Sequence, residues 1–284
     1  MSALQPALCL LAATCLADDG LRRGLTFHVP FDAGFDAESS ADDPACRVRA
    51  GGKMVSPTTG PEMRLATDGK FGGCLVFPKK GTVRPEYAAS RSLAYGTTDW
   101  SATVSVWLRL DPDKDLEPGY CDPVQIVGDD VKKGFIFLEW SKDHAPRHFR
   151  FAVRPIYHLW NPDAVGWEQI PDERRPMVKM EQAPFRRDRW THVVFVLDHL
   201  NDHAAPPRAR LHVDGKPVGV IQGHDLTFGW DPAAIRLVLG AAYVGHLDDL
   251  AVFDRALTDA ELIIQIAPLT AWAKFGIEQR LTCE

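Results

Sequence analysis

The sequence predicts an all-β fold, a two-sheet antiparallel jelly-roll sandwich with one short C-terminal helix. Short segments that alternate apolar and polar residues recur from Leu25 onward, which is typical of half-buried strands. The 22 Gly and 21 Pro residues supply the turns that many short strands require. One late segment carries a helix-capping pattern instead. Because no linker or repeat divides the chain, these observations indicate one sandwich.

The alternation predicts each strand in turn. In 102–110 (ATVSVWLRL), every second residue is Val or Leu, while Trp107 and Arg109 share the opposite face. Asp214 and Gly215 stand between two such runs, which predicts a hairpin turn. The predicted strands are 25–31, 74–77, 102–110, 124–127, 135–140, 148–154, 190–198, 208–214, 217–221, 235–239 and 247–253.

The predicted helix begins at Thr258. Glu261 follows three residues later, as in a capping box, and the helix runs to about Ile266, before Pro268. The half-apolar segment 269–284 is predicted to form a second short amphipathic helix. We therefore expect a signal peptide over 1–17, a jelly-roll domain over 22–267 and a C-terminal tail over 268–284.

Composition excludes several classes of protein. The chain has 284 residues, of which 45% are hydrophobic and 25% charged, as in an ordinary globular protein. A net charge of −6 argues against a general nucleic-acid binder, which usually carries a basic excess. No apolar run approaches the roughly 18 residues of a membrane span.

The first 17 residues (MSALQPALCLLAATCLA) resemble a secretory signal peptide, although no Lys or Arg precedes the apolar stretch. We therefore expect a secreted, cell-surface or periplasmic protein; the alternative is a misassigned start. Export would leave Cys46, Cys74, Cys121 and Cys283 able to pair in three ways. A Cys46–Cys74 disulfide is favoured because both lie in the N-terminal segment, and the alternative is free thiols. No cysteine lies in a CxxC motif that would indicate zinc.

Six motifs occur in an order that resembles the concanavalin A-like, laminin-G-like jelly-roll family. They are 25–32 (LTFHVPFD), 69–77 (GKFGGCLVF), 100–108 (WSATVSVWL), 190–194 (WTHVV), 211–216 (LHVDGK) and 245–257 (GHLDDLAVFDRAL). The residues of these motifs also resemble the version of the family that is common in planctomycete-type bacterial surface and secreted proteins. The resemblance implies this sandwich fold, glycan or protein binding, and often one structural calcium ion. It does not imply catalysis, because the fold carries binding modules and enzymes alike.

The calcium expectation follows from that resemblance. In related domains, the carboxylate after the opening strand and one from the "I-D-D-V" strand lie beside the ion. Here these are Asp32 and either Asp248 or Asp249, with Asp36 as an addition. The alternative is that Asp32 caps a turn and one of the Asp pair is solvated.

No catalytic motif is found. Glycosidases of this fold place their acids on one strand as E-x-D-x-E, and no such run occurs. Glu168, Asp172 and Glu173 lie in a proline-rich stretch and are interpreted as solvated loop charges. Tyr157 and His158 supply lyase residue types, but neighbours on an extended chain point to opposite faces. Two histidine pairs spaced four apart lack the Glu of a helical zinc motif.

Basic and aromatic residues share the polar faces of several predicted strands. If these faces form one groove, its arginines would bind carboxylate or sulfate and its tryptophans would stack on sugar rings. The aromatic-rich insertion between Arg154 and Trp190 would form a rim; the alternatives are a solvated sheet face and an insertion packed on the sandwich. The candidate ligand-binding residues are Trp107, Arg109, Arg150, Arg154, Tyr157, Trp160, Trp167, Arg210 and His212.

These features favour a non-catalytic binding module of an exported protein. Its expected partner is a carbohydrate or surface glycan, in particular an acidic or sulfated one, rather than nucleic acid. One alternative is a polysaccharide hydrolase or lyase, which carboxylates converging in a groove would favour. The other is a structural or protein-interaction module, which a flat sheet without a groove would favour.

Overall fold

The structure is a computed structural model that describes residues 24–50 and 53–264, apart from the side chains of residues 168, 263 and 264. The predicted signal peptide over 1–17, the tail over 268–284 and Cys283 lie outside the described residues. Within the described ranges, no helix has the length and apolarity needed to cross a bilayer.

Strands dominate the described residues. In chain order they are β1 (Leu25–Val29), β2 (Ser39–Ser40), β3 (Val48–Ala50), β4 (Lys53–Val55), β5 (Arg64–Ala66), β6 (Cys74–Phe77), β7 (Glu86–Ala88), β8 (Trp100–Arg109), β9 (Asp122–Val127), β10 (Phe135–Trp140), β11 (Phe149–Arg154), β12 (Met177–Met180), β13 (Thr191–Leu200), β14 (Arg208–Val213), β15 (Lys216–Gln222), β16 (Arg236–Ala241) and β17 (Gly245–Phe253). The short helices are α1 (Pro112–Asp115), α2 (Tyr157–Trp160) and α3 (Asp259–Ile264), with 3-10 turns at Trp167–Gln169, Asp172–Arg174 and Pro232–Ala234.

Two antiparallel sheets form the sandwich, as predicted. The nine-stranded sheet has the order β15-β14-β13-β8-β17-β1-β2, and β6 with β5 extends from β17. The six-stranded sheet has the order β12-β11-β10-β9-β16-β7, while β3 and β4 form a separate hairpin. Strands distant in sequence, such as β8 and β17, therefore lie side by side, as in jelly rolls.

The core lies between the facing sides of the two sheets. Val104, Val106 and Leu108 of β8 are fully buried in it, as the alternation predicts. The ring of Phe151 on β11 stacks on Phe195 of β13, with centroids 4.9 Å apart, which joins the two sheets. The residues of β11 that alternate with Phe151 point away from the core, so the arginines of this strand lie on the outer face of the six-stranded sheet.

The predicted capping box is confirmed at the start of α3. The amide of Glu261 donates to Thr258 Oγ1 at 3.4 Å, and the amide of Thr258 donates to the Glu261 carboxylate at 2.8 Å. The helix packs Leu262 on the outer face of the nine-stranded sheet, in a second apolar cluster with Val194 and Phe253. The C-terminal helix is thus fixed to the sheet by its apolar side.

The expected Cys46–Cys74 disulfide is wrong in this structure. Cys46, Cys74 and Cys121 are free, buried thiols. Burial raises the pKa of Cys46 and of Cys74 to about 12, so both remain thiols at neutral pH. Closeness along the chain therefore did not indicate closeness of the two sulfur atoms.

Candidate carbohydrate-binding pocket

The candidate site lies on the outer face of the six-stranded sheet. On β11, Arg150 and Arg154 face away from the core, opposite in direction to Phe151. On the neighbouring β10, Glu139 pairs directly with Arg150 in the strand register. The Arg150 guanidinium donates to the Glu139 carboxylate at 3.1 Å, and both side chains are less than a tenth exposed. A buried ion pair therefore forms the floor of the site.

A second carboxylate, Asp122, reaches the same floor through a change of register. Gln125 of β9 pairs with Phe137, but Cys121 pairs with Trp140, so β9 has one residue more than β10 over this stretch. Such a β-bulge turns the intervening side chains to new faces. Cys121 stays in the core, while Asp122 lines the pocket beside Glu139 and accepts a 2.6 Å hydrogen bond from Gln125 Nε2.

Burial raises the pKa of both carboxylates. Burial, followed by the negative charge of Glu139, raises the pKa of Asp122 to about 7. Burial also raises the pKa of Glu139, against the opposing effect of the Arg150 guanidinium. The Oδ1 atom of Asp122 is buried and has no hydrogen-bond partner. This oxygen is therefore ready to share a proton or a hydrogen bond with a ligand.

The insertion after β11 forms one wall of the pocket. Asn161 Nδ2 donates to the Tyr157 hydroxyl at 2.8 Å and to the Val165 carbonyl at 2.9 Å, which ties α2 to the chain that follows it. Tyr157, Trp160 and Trp167 then line one side of the pocket. Of the two interpretations of this insertion, the structure supports the rim for these three residues.

Arg154 is clamped between aromatic rings. Its guanidinium carbon lies 4.4 Å from the ring centroid of Trp167, 5.1 Å from that of Trp160 and 4.8 Å from that of Phe137. No described residue forms a hydrogen bond or ion pair with this guanidinium, and its Nε is buried without a partner. Arg154 therefore presents an oriented, unpaired cation to the pocket.

The pocket has a volume of about 450 Å³, large enough for a sugar ring. Its lining combines the buried charges, amide and hydroxyl groups, and aromatic rings. The lining residues are Tyr120, Asp122, Gln125, Phe135, Glu139, Arg150, Arg154, Tyr157, Trp160, Asn161, Val165, Trp167 and Ile170.

A smaller depression of about 240 Å³ adjoins the pocket. The two share Tyr120, Arg150 and Trp167, so together they form one groove. The depression adds Lys142, Asp143, His144 and Arg175, which give it a basic lining. The groove therefore extends beyond the space that one sugar ring would fill.

The structure separates the predicted ligand-binding residues into two groups. Arg150, Arg154, Tyr157, Trp160 and Trp167 meet in the pocket, whereas the others lie on the nine-stranded sheet. A single groove containing all nine is therefore wrong. The predicted polar faces exist, but they belong to two different sheets on opposite sides of the core.

Trp107 and Arg109 on β8 have partners of their own. Trp107 is buried and stacks on His192, with centroids 4.6 Å apart, and Lys70 lies 4.5 Å from its indole ring. Arg109 donates to Asp68 at 2.6 Å and lies 4.7 Å over the ring of Trp190. Neither residue contacts the pocket of Arg154.

Arg210 and His212 hold the C-terminal helix on the sheet. Arg210 donates to Asp259 Oδ1 at 2.5 Å and to the Leu257 carbonyl at 2.7 Å. His212 Nε2 lies 3.4 Å from the same Asp259 oxygen. These contacts fix the first turn of α3, so both side chains have a structural role.

The four candidate calcium ligands accept protein hydrogen bonds in three places. Asp32 and Asp248 both bind the loop 69–73, Asp32 through the Gly73 amide and Asp248 through two successive amides. Asp36 instead accepts from the Cys46 amide at 2.8 Å. Asp249 lies 2.7 Å from His28 Nε2. The structure does not gather the four carboxylates into one ligand set, and calcium binding stays a prediction.

Within the described ranges, one other group has the residue types and spacing to hold a metal ion. Ligand atoms of Asp99, His199 and Asp202 lie within 4.8 Å of one another on the surface. Exposed acidic groups often gather in this way without an ion. His199 lies near the end of β13, where its φ of 56° coincides with the shift in register between β13 and β8.

Sequence reasoning missed the carboxylates of the pocket. Glu139 carries a signal in retrospect, since alternation in 135–140 places it outward and opposite Arg150. Asp122 carries none, because only the bulge beside Pro123 brings it to this face. The two carboxylates therefore join the site only once the register of β9 is known.

Comparison with known proteins agrees with this architecture. The sequence pattern of the concanavalin A-like lectin/glucanases superfamily matches residues 86–263. This chain belongs to that superfamily. The match covers β7 to α3 and includes both the pocket and its rim. No curated protein matches the sequence significantly.

Solved structures share the fold at low identity. The binding domain of botulinum neurotoxin DC, solved with rat synaptotagmin II, has 11% identity and a TM-score of 0.56 over 86% of this chain and 51% of its own. Domain 4 of an extracellular arabinanase from Geobacillus stearothermophilus, solved with arabinotriose, has 16% identity and a TM-score of 0.49 over 84% and 96%. This chain thus spans about half of the neurotoxin domain, and these likenesses concern the fold alone.

Proposed function

We propose that this protein is a non-catalytic binding module whose pocket on the six-stranded sheet binds an acidic carbohydrate. The superfamily includes lectins, which supports a carbohydrate ligand. The observation that carries the proposal is Arg154, an unpaired guanidinium held between three aromatic rings at the pocket wall.

The charge balance of the pocket favours an anionic group on the sugar. Glu139 is neutralised by Arg150, and Asp122 is largely protonated below about pH 7. Arg154 then supplies the net charge of the pocket. Guanidinium groups bind carboxylate and sulfate through two parallel hydrogen bonds, and stacking holds the plane of Arg154 in place for this. A uronic acid or a sulfated sugar has the group that this arrangement recognises.

The shape of the groove favours an oligosaccharide over a single sugar. The main pocket continues past Tyr120 and Trp167 into the smaller basic depression. One acidic sugar at Arg154 would leave its neighbour beside Arg175 and Lys142. We therefore propose a ligand of at least two sugar units with acidic groups on both. Such glycans lie outside cells, which fits the export expected from the N-terminal sequence.

A glycan array probed with the full-length protein tests this proposal. We expect binding to uronic-acid or sulfated oligosaccharides and none to their neutral counterparts. Arg154→Gln should abolish the signal, and Arg154→Lys should reduce it, because lysine keeps the charge but loses the planar fork. Arg49→Gln, an exposed change on β3, is the matched control and should bind as the original protein does.

Two results would contradict the proposal. Equal binding to neutral and acidic glycans would exclude recognition by Arg154. Absence of any glycan ligand would leave a structural or protein-interaction module, the alternative that the superfamily also accommodates.

A second candidate function, polysaccharide hydrolysis, is favoured by the adjacent carboxylates. Asp122 and Glu139 line one pocket on neighbouring strands, and the charge of Glu139 contributes to the raised pKa of Asp122. In a hydrolase, the protonated Asp122 would act as general acid and the ionised Glu139 as nucleophile or base.

Product analysis separates binding from hydrolysis. The array ligand is incubated with the protein and examined for new reducing ends. Non-catalytic binding predicts none. Hydrolysis that Asp122→Asn and Glu139→Gln both abolish would establish the enzyme instead.

A further inference from the structure

A second cavity lies at the opposite face of the sandwich, on the nine-stranded sheet. Its volume is about 430 Å³, and it shares no lining residue with the pocket of Arg154. Its wall is apolar on one side, formed by Val76, Phe77, Pro78, Leu110 and Val244. Its other lining residues are charged or basic apart from Gly245, namely Arg64, Asp68, Arg109, Asp115, Arg187 and His246.

The strand register aligns three basic residues across this sheet. Arg64 of β5 pairs with Val76 of β6, Val76 pairs with His246 of β17, and His246 pairs with Arg109 of β8. Residues that pair directly across antiparallel strands have side chains on the same face. Arg64, His246 and Arg109 therefore form one row along the cavity.

The cavity holds more positive than negative charge. Asp68 accepts a 2.6 Å hydrogen bond from Arg109, and Asp115 pairs with Arg187. Arg64 then has no hydrogen bond or ion pair with any described residue. An excess of positive charge in a cavity attracts an anion. The arrangement is therefore that of a site completed by an anion.

The pKa of His246 reflects this positive environment. Burial first, and then the charges of Arg109 and Arg64, lower the pKa of His246, although Asp68 acts in the opposite direction. A hydrogen bond from the ring to the Arg109 backbone also opposes the lowering. The imidazole therefore lies beside the basic groups as a group whose pKa responds to a nearby charge.

Aromatic contacts hold the basic groups in position. The guanidinium carbon of Arg109 lies 4.7 Å over the ring of Trp190, and this ring meets His246 edge-on at 6.2 Å. An orientation fixed in advance lowers the entropy lost on binding.

We propose that this cavity binds a tetrahedral oxyanion, sulfate or phosphate, either free or as an ester on a larger molecule. Three guanidinium groups approach from β5, β8 and the loop before β13, with the imidazole of β17 beside them. Donors arriving from several directions suit the four oxygens of a tetrahedral ion better than the two oxygens of a planar carboxylate. The site is separate from the proposed carbohydrate pocket and does not depend on it.

NMR titration of the full-length protein with sodium sulfate tests the proposal. The side-chain resonances of His246 are followed, with sodium chloride at equal ionic strength as the reference. We expect saturable shifts and a rise in the pKa of His246, because a nearby anion favours the imidazolium form. Arg64→Gln should weaken sulfate binding about tenfold, as expected for one lost charged hydrogen bond.

Two matched variants make the result specific. Arg49→Gln removes the same charge from β3 and should bind sulfate as the original protein does. Arg154→Gln should also retain the His246 response while losing the glycan signal, so failure of one site is distinguishable from failure of the other. The proposal is overturned if His246 does not respond to sulfate, or if Arg49→Gln weakens binding as much as Arg64→Gln.

A third arm separates the two sources of the anion. A sulfated monosaccharide and its unsulfated parent are compared with sulfate itself. Tighter binding of the sulfated sugar than of the free ion would support an ester on a larger molecule. Equal binding of both would support the free ion. Binding of the unsulfated parent alone would contradict an oxyanion site.

Discussion

The buried carboxyl of Asp122 offers the most direct test of the site as described. Asp122→Asn keeps the shape of the side chain and an oxygen that can accept from Gln125 Nε2, but it removes the ability to ionise. The asparagine therefore imitates the protonated form. Any difference between the two proteins that depends on pH must arise from the proton of Asp122 or from its effect on Glu139.

The expected magnitude follows from the pKa. Burial and Glu139 raise the pKa of Asp122 from 3.8 to about 7, and each pH unit is worth about 1.4 kcal/mol, so the ionised group costs the fold about 4 kcal/mol. Between these values the folded protein holds a proton that the unfolded chain has lost, so stability falls as pH rises. The contribution of protonated Asp122 is complete below pH 4 and is lost as pH passes 7.

Urea unfolding of both proteins from pH 4 to pH 8 measures this difference. We expect similar free energies of unfolding near pH 4. Near pH 8, Asp122→Asn should be the more stable protein by up to about 4 kcal/mol. Asp254→Asn, an exposed change outside the pocket, is the control and should follow the original protein at every pH. Comparing proteins at each pH cancels the titration of all other groups.

Parallel stability curves would refute the reasoning. If Asp122→Asn shifted the free energy of unfolding equally at pH 4 and pH 8, the carboxyl would titrate at its ordinary value and could not lie buried beside Glu139. Direct titration of the Asp122 carboxyl by carbon-detected NMR, with a midpoint near pH 4, would lead to the same conclusion.

Two further predictions concern buried groups. Arg150→Met should lower the free energy of unfolding by about 3–5 kcal/mol, because it leaves Glu139 buried and unpaired, and adding Glu139→Gln should recover much of this loss in urea unfolding. Cys46 and Cys74 should react with a thiol reagent at pH 8 only as fast as the protein unfolds, since burial raises both thiol pKa values to about 12; rapid labelling of the folded protein would contradict this.

The long strands were predictable because alternation over six or more residues is a strong pattern. β10 was predicted with both bounds correct, and β8 begins two residues earlier and ends one residue earlier than predicted. Six short strands were not predicted at all, namely β2, β3, β4, β5, β7 and β12. A segment of two to four residues is too short to establish a period, and its pairing depends on a neighbour that the local sequence does not contain. β6 is as short, but its apolar run and the flanking Gly73 and Pro78 mark its bounds.

Strand alternation in the sequence predicts only part of the site. Arg150 and Arg154 were found because alternation along β11 places both outward. Their grouping with Arg210 was wrong, because alternation identifies a face of a strand and not the sheet to which the strand belongs. Topology decides that assignment, and the chain crosses between sheets in loops with no such signal.

The tryptophans of the pocket act differently from the sequence-based expectation. Trp167 was expected to stack on a sugar ring, but the Arg154 and Arg175 guanidinium carbons lie 4.4 Å and 4.3 Å from the centroid of its ring. Each cation occupies surface that a sugar would otherwise cover. We therefore expect the proposed recognition of a glycan to rest on the guanidinium that the rings orient, and not on stacking. If this is correct, Trp167→Phe, which keeps an aromatic face for Arg154, should retain more glycan binding than Trp167→Ala.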